Sequence, residues 1–269
     1  MTLHPAPAVS ALAPIELVVL DMAGTTVLDD GVVELAFTRA NERTGVAANM
    51  PWDDALNYVR RTMGQSKIDV FTHLAGGDLE LAHEANTAFE TAYGELVAEH
   101  GVEEIPGAAD VIAELRDAGL KVALTTGFAP ATRDAILDGL GWQYLVDVAL
   151  SPIDAGRGRP APDLVLTALM RTDSHSVDRV AVIGDTASDI ASGRRAGAGF
   201  VAGVLSGAHD RATLEAAGAD EVLEDVTALR ATRLLLPTAV SPALSPAPQP
   251  QPQPVESPVL SSQIGASAS

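Results

Sequence analysis

The chain has 269 residues, 47% of them hydrophobic and 4% aromatic, enough to bury one large core or a core with a smaller insert. Its 17 Lys+Arg against 36 Asp+Glu give a net charge of −19, which argues against a nucleic-acid partner and obliges any anionic substrate to meet a local positive site. The absence of cysteine excludes disulfides, thiolate catalysis and Cys-ligated zinc.

In chain order, residues 1–13 (MTLHPAPAVSALA) are too rich in Pro and Ala to bury much and read as a disordered segment without a basic stretch. The β-branched run 15–20 reads as a buried strand ending at Asp21 in LDMAGTT, where Gly24 and Thr25 permit a tight turn. Residues 32–104 hold four helix-like segments and no convincing strand. They break at Gly45, Asn49-Met50-Pro51, Met63-Gly64 and Gly76-Gly77, and so read as an inserted helical lobe. Beyond Ile105-Pro106-Gly107, helices at 107–118, 130–140, 162–171, 189–196 and 210–217 alternate with strands at 121–125, 144–150, 179–184 and 199–204. Such repeats predict an α/β fold, a doubly wound, mainly parallel, Rossmann-like sheet covered on both faces.

The expected domains are a core of 14–31 and 105–236, an α-helical cap of 32–104, and a disordered Pro/Ser/Gln-rich tail of 237–269 containing PAPQPQPQP. No apolar run reaches the roughly 18–20 residues that span a bilayer, so the expectation is a cytoplasmic protein with no membrane partner.

In open parallel sheets ligands bind beyond the C-terminal ends of the strands, and four such places hold reactive groups. Asp21 ends an apolar strand, where a carboxylate is costly unless hydrogen-bonded, metal-bound or used in catalysis; helix capping is the plain alternative. Thr126 and Gly127 in LTTGF offer a hydroxyl and a closely approachable N–H to a phosphoryl oxygen. Arg159 in GRPAPD gives a permanent forked donor, although nearby Arg157 illustrates that an Arg in this loop can simply face solvent. Asp185 and Asp189 in GDTASD stand four apart, a spacing expected to put both on one face of a helix's first turn, with capping the alternative for Asp185. With Asp21 and a backbone carbonyl, their oxygens suit Mg2+.

The order hhhhD-x-x-G-T, strand-end Thr, Arg before Pro and GD-x-x-x-D, over about residues 15–230, resembles the haloacid dehalogenase (HAD) superfamily. Most phosphatase members carry D-x-D-G-T, whose second Asp protonates the leaving alkoxide; here that place is Ala23. DMAGTT, with Arg159 where most members have Lys, resembles instead the D-x-A-G-T of the phosphonoacetaldehyde hydrolase (phosphonatase)-like branch. MGQSKID at 63–69 is similar to that branch's M-G-x-x-K-I-D, whose lysine forms a Schiff base.

The resemblance implies cleavage of the carbon–phosphorus bond of a 2-oxoalkylphosphonate such as phosphonoacetaldehyde. In that reading Lys67 forms an imine that drains the carbanion into an enamine, and Asp21 takes the phosphoryl group. Met63, Thr126, Gly127 and Arg159 hold the substrate, and Asp21, the Ala23 carbonyl and Asp185 hold Mg2+, with Asp189 orienting a water on it. A carbon leaving group needs no acid at position 23, and burial or Arg159 would keep Lys67 neutral. A homodimer through the cap is also implied.

Departures from the pattern predict a substrate that need not be phosphonoacetaldehyde itself. The branch's KIDH is KIDV here, so Val70 replaces a proton-carrying His, leaving His73, Asp69 or water to substitute, with His73 reading more simply as a cap-helix residue. Its Trp after the nucleophile is Met22, and its TTGY is TTGF with Phe128. The competing readings are a Mg-dependent HAD phosphomonoesterase, a metal-independent haloacid dehalogenase and a non-catalytic phosphoryl-binding protein.

Overall fold

The run LVVLD forms β1 (Leu17–Asp21), buried at every residue as befits a strand covered on both faces. The computed structural model describes residues 14–232 and 234–235; the ends expected to be disordered, 1–13 and 237–269, lie outside the described residues. Around β1 stands a six-stranded parallel sheet. β2 (Lys121–Thr125) and β4 (Val180–Gly184) flank β1, with β3 (Val148–Leu150) outside β2, and β5 (Phe200–Val204) then β6 (Glu221–Leu223) outside β4. Every paired strand runs parallel to its neighbours.

Alternation along β1 divides the core in two. Val18 and Leu20 face Val111, Ile112 and Leu115 of α5 (Ala108–Asp117), on the same side as the helical insert. Leu17 and Val19 face Leu164 of α8 (Asp163–Arg171), Ile190 of α9 (Ala187–Ala196) and Leu214 of α10 (Arg211–Ala217). The remaining core helices are α6 (Pro130–Leu140), which opens on Pro at its first position, and the single turn α7 (Pro152–Ala155).

The insert comprises α1 (Val32–Thr44), α2 (Trp52–Arg61), α3 (Lys67–Leu74) and α4 (Leu79–His100). Asp78 caps α4 by accepting from the N–H groups of Glu80 and Leu81. Phe37 of α1, Phe71 of α3 and Phe89 of α4 form an aromatic nest with ring centroids 4.7 to 5.9 Å apart. Phe89 also stacks on Phe128, just beyond β2, at 6.3 Å, and the described residues belong to one compact unit. Insert and sheet therefore share one apolar seam at the C-terminal end of β2.

The strand expected at 144–150 begins only at Val148, because Leu145 N–H turns back to the Trp142 carbonyl and Tyr144 is 91% exposed. β6 was not anticipated: three residues (EVL), none of them fully buried, make no apolar run. No helix among the described residues is long and apolar enough to cross a membrane.

Candidate active site

Register brings the strand-end residues to one level. Asp21 pairs with Thr125 of β2 and Leu20 with Ile183 of β4, so Asp21, Thr126 and Asp185 leave the sheet on three adjoining strands. The chain runs from β1 to β2 on one side and later returns to β4 on the other, the switch point where parallel sheets open a crevice.

Three carboxylates meet there. Asp21, Asp185 and Asp189 are all buried, with one oxygen of each within 4.8 Å of the others. Arg159, 4% exposed, donates from Nη1 to Asp21 Oδ1 at 2.5 Å and also to Asp189 Oδ1. Burial raises Asp21 to about 6, helped by the charge of Asp189 and opposed by Arg159. Burial, then Asp21 and Asp189, holds Asp185 well above the usual carboxylate range. Asp185 also accepts from Thr25 Oγ1 at 3.2 Å and from the Ala208 N–H at 2.8 Å. Arg159 Nε is buried without a hydrogen-bond partner among the described residues, a spare donor on a residue that lines the cavity.

The helical reading of GDTASD needs correction. Asp185 lies ahead of α9, beyond β4, and the cap is Thr186, in a reciprocal capping box with Asp189 at the third helical position. The two carboxylates converge because a strand end and a helix start meet, not because they share a helix face.

Lys67 is the first residue of α3 and 6% exposed. Its Nζ sits 5.7, 5.8 and 5.2 Å from the ring centroids of Phe37, Phe89 and Phe128. Burial, then the charge of Arg159, lowers its pKa; Asp29, Asp21 and Glu90 oppose this. Lys67, Asp21, Ala23, Met63 and Arg159 line one cavity of about 30 Å³, together with Thr126 and Gly127. The Thr126 hydroxyl accepts from the Phe128 N–H at 3.2 Å, leaving its own proton to donate.

Glycines let the MGQSK loop settle on the sheet. Gly64, at φ +79°, would drive a Cβ into the Thr186 side chain, and a Cβ on Gly127 would lie 2.5 Å from the Gln65 carbonyl oxygen. Gly127→Ala should therefore hold Lys67 away from Asp21. Turnover is expected to fall about 10- to 100-fold and the unfolding midpoint to drop as well, because the atoms that must shift are backbone, and steady-state kinetics beside thermal unfolding checks this.

Val70 is buried in the core of the insert and carries no proton. His73 stacks on Tyr58 at 3.8 Å on the exposed side of α3, and neither it nor Asp69 lines the cavity. Arg157 pairs with Asp163 at the surface. Two residues near Lys67 escaped the sequence reading. Asp29, in the β1–α1 connection, lines the same cavity, accepts from the Val33 N–H at 3.1 Å, and is raised by burial. Glu90 of α4 accepts from the Ala129 N–H at 3.1 Å and from the Thr132 hydroxyl.

A family model described as haloacid dehalogenase-like hydrolase matches residues 15–197. The phosphonoacetaldehyde hydrolase of Bacillus cereus (strain AH187) is 30% identical over 217 residues, covering 73% of this chain and 78% of that protein. A hydrolase from Pseudomonas syringae superposes with a TM-score of 0.70 at 28% identity, over 80% of this chain and 95% of that one. CbbY from Rhodobacter sphaeroides, solved in complex with phosphate, shares the fold at a TM-score of 0.66 and 22% identity, over 80% and 96%.

Proposed function

The chain belongs to the haloacid dehalogenase-like hydrolases, and within that family we propose that it cleaves the carbon–phosphorus bond of a 2-oxoalkylphosphonate such as phosphonoacetaldehyde. The observation that carries this reading is Lys67, a buried amine of lowered pKa in one cavity with Asp21 and Ala23. An ester hydrolase needs an acid beside Asp21 for the departing oxygen, and Ala23 has none. An imine-forming enzyme needs an uncharged amine, which desolvation favours.

In the proposed sequence the Lys67 nitrogen adds to the carbonyl carbon and water leaves, giving an iminium. The Asp21 carboxylate then attacks phosphorus, the carbon–phosphorus bond breaks, and its electron pair forms an enamine with the iminium nitrogen as acceptor. One water cleaves the aspartyl-phosphate to phosphate and free Asp21. A second cleaves the imine, after protonation at carbon, to the aldehyde or ketone and Lys67, so that one water is consumed overall. Asp29, the carboxyl in the same cavity, carries the protons that Val70 cannot. The free Nε of Arg159, the Thr126 hydroxyl and the Gly127 N–H receive the phosphoryl oxygens.

The residues fit a hard divalent cation. Three buried carboxylates against one guanidinium leave negative charge uncompensated, and all the donors are oxygens. Asp21, Asp185 and Asp189, with the Ala23 carbonyl, would hold Mg2+, which when bound offsets the repulsion between Asp21 and the phosphonate and supports charge on its oxygens.

Borohydride added during turnover of phosphonoacetaldehyde should fix a reduced adduct on the peptide bearing Lys67, seen by mass spectrometry, with loss of phosphate release. Phosphate release faster from phosphate monoesters than from any oxoalkylphosphonate, with no adduct, would overturn the reading in favour of a phosphomonoesterase.

A further inference from the structure

Lys67 borders a second cavity that the chemistry above does not use. It holds about 230 Å³, against about 30 Å³ on the Asp21 side, and also touches Gly127 and Phe128. One wall is α4, which presents His83, Asn86 and Glu90 at i, i+3 and i+7, a single helical face. The opposite wall is apolar, from Phe128, Pro152 and Ile153, the last 79% exposed at the rim. Glu90 is engaged by the Ala129 N–H and the Thr132 hydroxyl, whereas the Asn86 side chain makes no hydrogen bond among the described residues. The space is below the roughly 300 Å³ at which cavities usually take a whole ligand, but roughly eight waters' share of liquid. That suits a substituent.

The geometry of the carbonyl carbon says which one. Once joined to Lys67, that planar carbon bears two groups about 120° apart: the methylene leading to phosphorus, and whatever else the substrate carries. With phosphorus at Asp21, the other group has to leave away from the Asp21 cavity, and this groove, which Asp21 does not line, meets that cavity at Lys67, Gly127 and Phe128. Phosphonoacetaldehyde has only hydrogen there and would leave the groove to solvent.

We infer that the groove is a subsite for a short, uncharged, hydrogen-bonding chain on the carbonyl carbon, so that the preferred substrate is a hydroxylated 2-oxoalkylphosphonate ketone; this rests on the imine-forming reading of Lys67. Phe128 and Pro152 cover the carbons of the chain, and Asn86 and His83 meet its polar end. Glu90 at the same face repels a carboxylate.

The test compares kcat/KM for phosphonoacetaldehyde, 2-oxopropylphosphonate, 4-hydroxy-2-oxobutylphosphonate and its 4-carboxy analogue, with the full chain and Mg2+. Between the ketones, whose carbonyls are alike, the hydroxylated one should be better than the methyl one by about tenfold or more, and the carboxylated one worse. Asn86→Leu, nearly isosteric, should erase the hydroxyl's advantage. Asn86→Trp, filling the groove, should lower the ratio of hydroxylated ketone to phosphonoacetaldehyde by about tenfold. Equal values for the methyl and hydroxylated ketones, or ratios unmoved by both folded variants, overturn the subsite while phosphonoacetaldehyde cleavage leaves the role of Lys67 standing. Failure to cleave any of the four, with no borohydride adduct, overturns that role and the subsite together.

Discussion

Lys67→Met should lose about 10⁴-fold or more in phosphate release from 2-oxoalkylphosphonates and yet unfold at a higher urea concentration than the parent protein. The amine is buried beside three aromatic rings at the start of α3. Ring faces and the carboxylates of Asp29, Asp21 and Glu90 recover part of the cost, but burial and Arg159 outweigh them, since the net direction is downward. Methionine fills the same slot without a charge to desolvate, and its thioether packs well on aromatic edges.

The gain has a definite pH dependence. A lysine whose pKa falls on folding binds fewer protons in the native state, so the parent gains stability as pH rises from that lowered value towards the ordinary 10.5. The advantage of Lys67→Met should accordingly be largest below that lowered pKa and shrink in urea titrations as pH rises towards 10.5. A structural lysine would give the opposite pair of results, a destabilised variant with proportionate loss of activity.

What the sequence discloses about this site depends on distance along the chain. β1, β2, β4 and β5 each contain an apolar run, and each reactive residue at or just beyond a strand end is found by locating the strand. Asp21, Thr126 and Asp185 are legible for that reason; Arg159 lies past α7, nine residues beyond β3, and is marked only by its Arg-Pro pattern. Asp29 is not, because two acidic residues and a glycine (Asp29-Asp30-Gly31) look like any solvated turn until the insert closes over one of them. Glu90, Asn86 and His83 resemble the wet side of a long helix, and only the loop after β2 turns that side into a wall. Spacing also misleads at Asp185 and Asp189: four residues suggest one helical face, while the backbone changes from strand to helix between them. Gly127 was legible as a close approach, but what approaches it in the structure is the Gln65 carbonyl.

The second large effect concerns the charge around Arg159. Arg159→Met leaves Asp21 and Asp189 buried without their guanidinium, a loss of about 3–5 kcal/mol when one partner of a buried ion pair is removed. Phosphate release should fall about 10²- to 10³-fold, as for other donors aimed at developing oxyanions. The parent, freed of divalent cations, already carries part of this strain. Asp21 is raised to about 6 from 3.8 and Asp185 is raised too, so at these two carboxyls the native state holds more protons than the unfolded chain above pH 3.8.

Stability of the cation-free protein should therefore decline as pH climbs from 3.8 through about 6, by on the order of 3 kcal/mol for Asp21 over the whole window and about half of that between pH 5 and 8. Surface carboxylates held low by ion pairs, such as Glu16 at about 2, have finished titrating by pH 5 and do not blur that window. Mg2+ should restore more stability at pH 8 than at pH 5, because at the lower pH it competes with protons for the same oxygens. Asp185→Asn should flatten the cation-free decline, and Arg159→Met should steepen it. Urea unfolding at the two pH values, with EDTA and with Mg2+, measures all of these. A cation-free pH profile that neither Asp185→Asn nor Arg159→Met alters, or Mg2+ without effect at pH 8, would mean that the three carboxylates are balanced by hydrogen bonds alone and hold no metal.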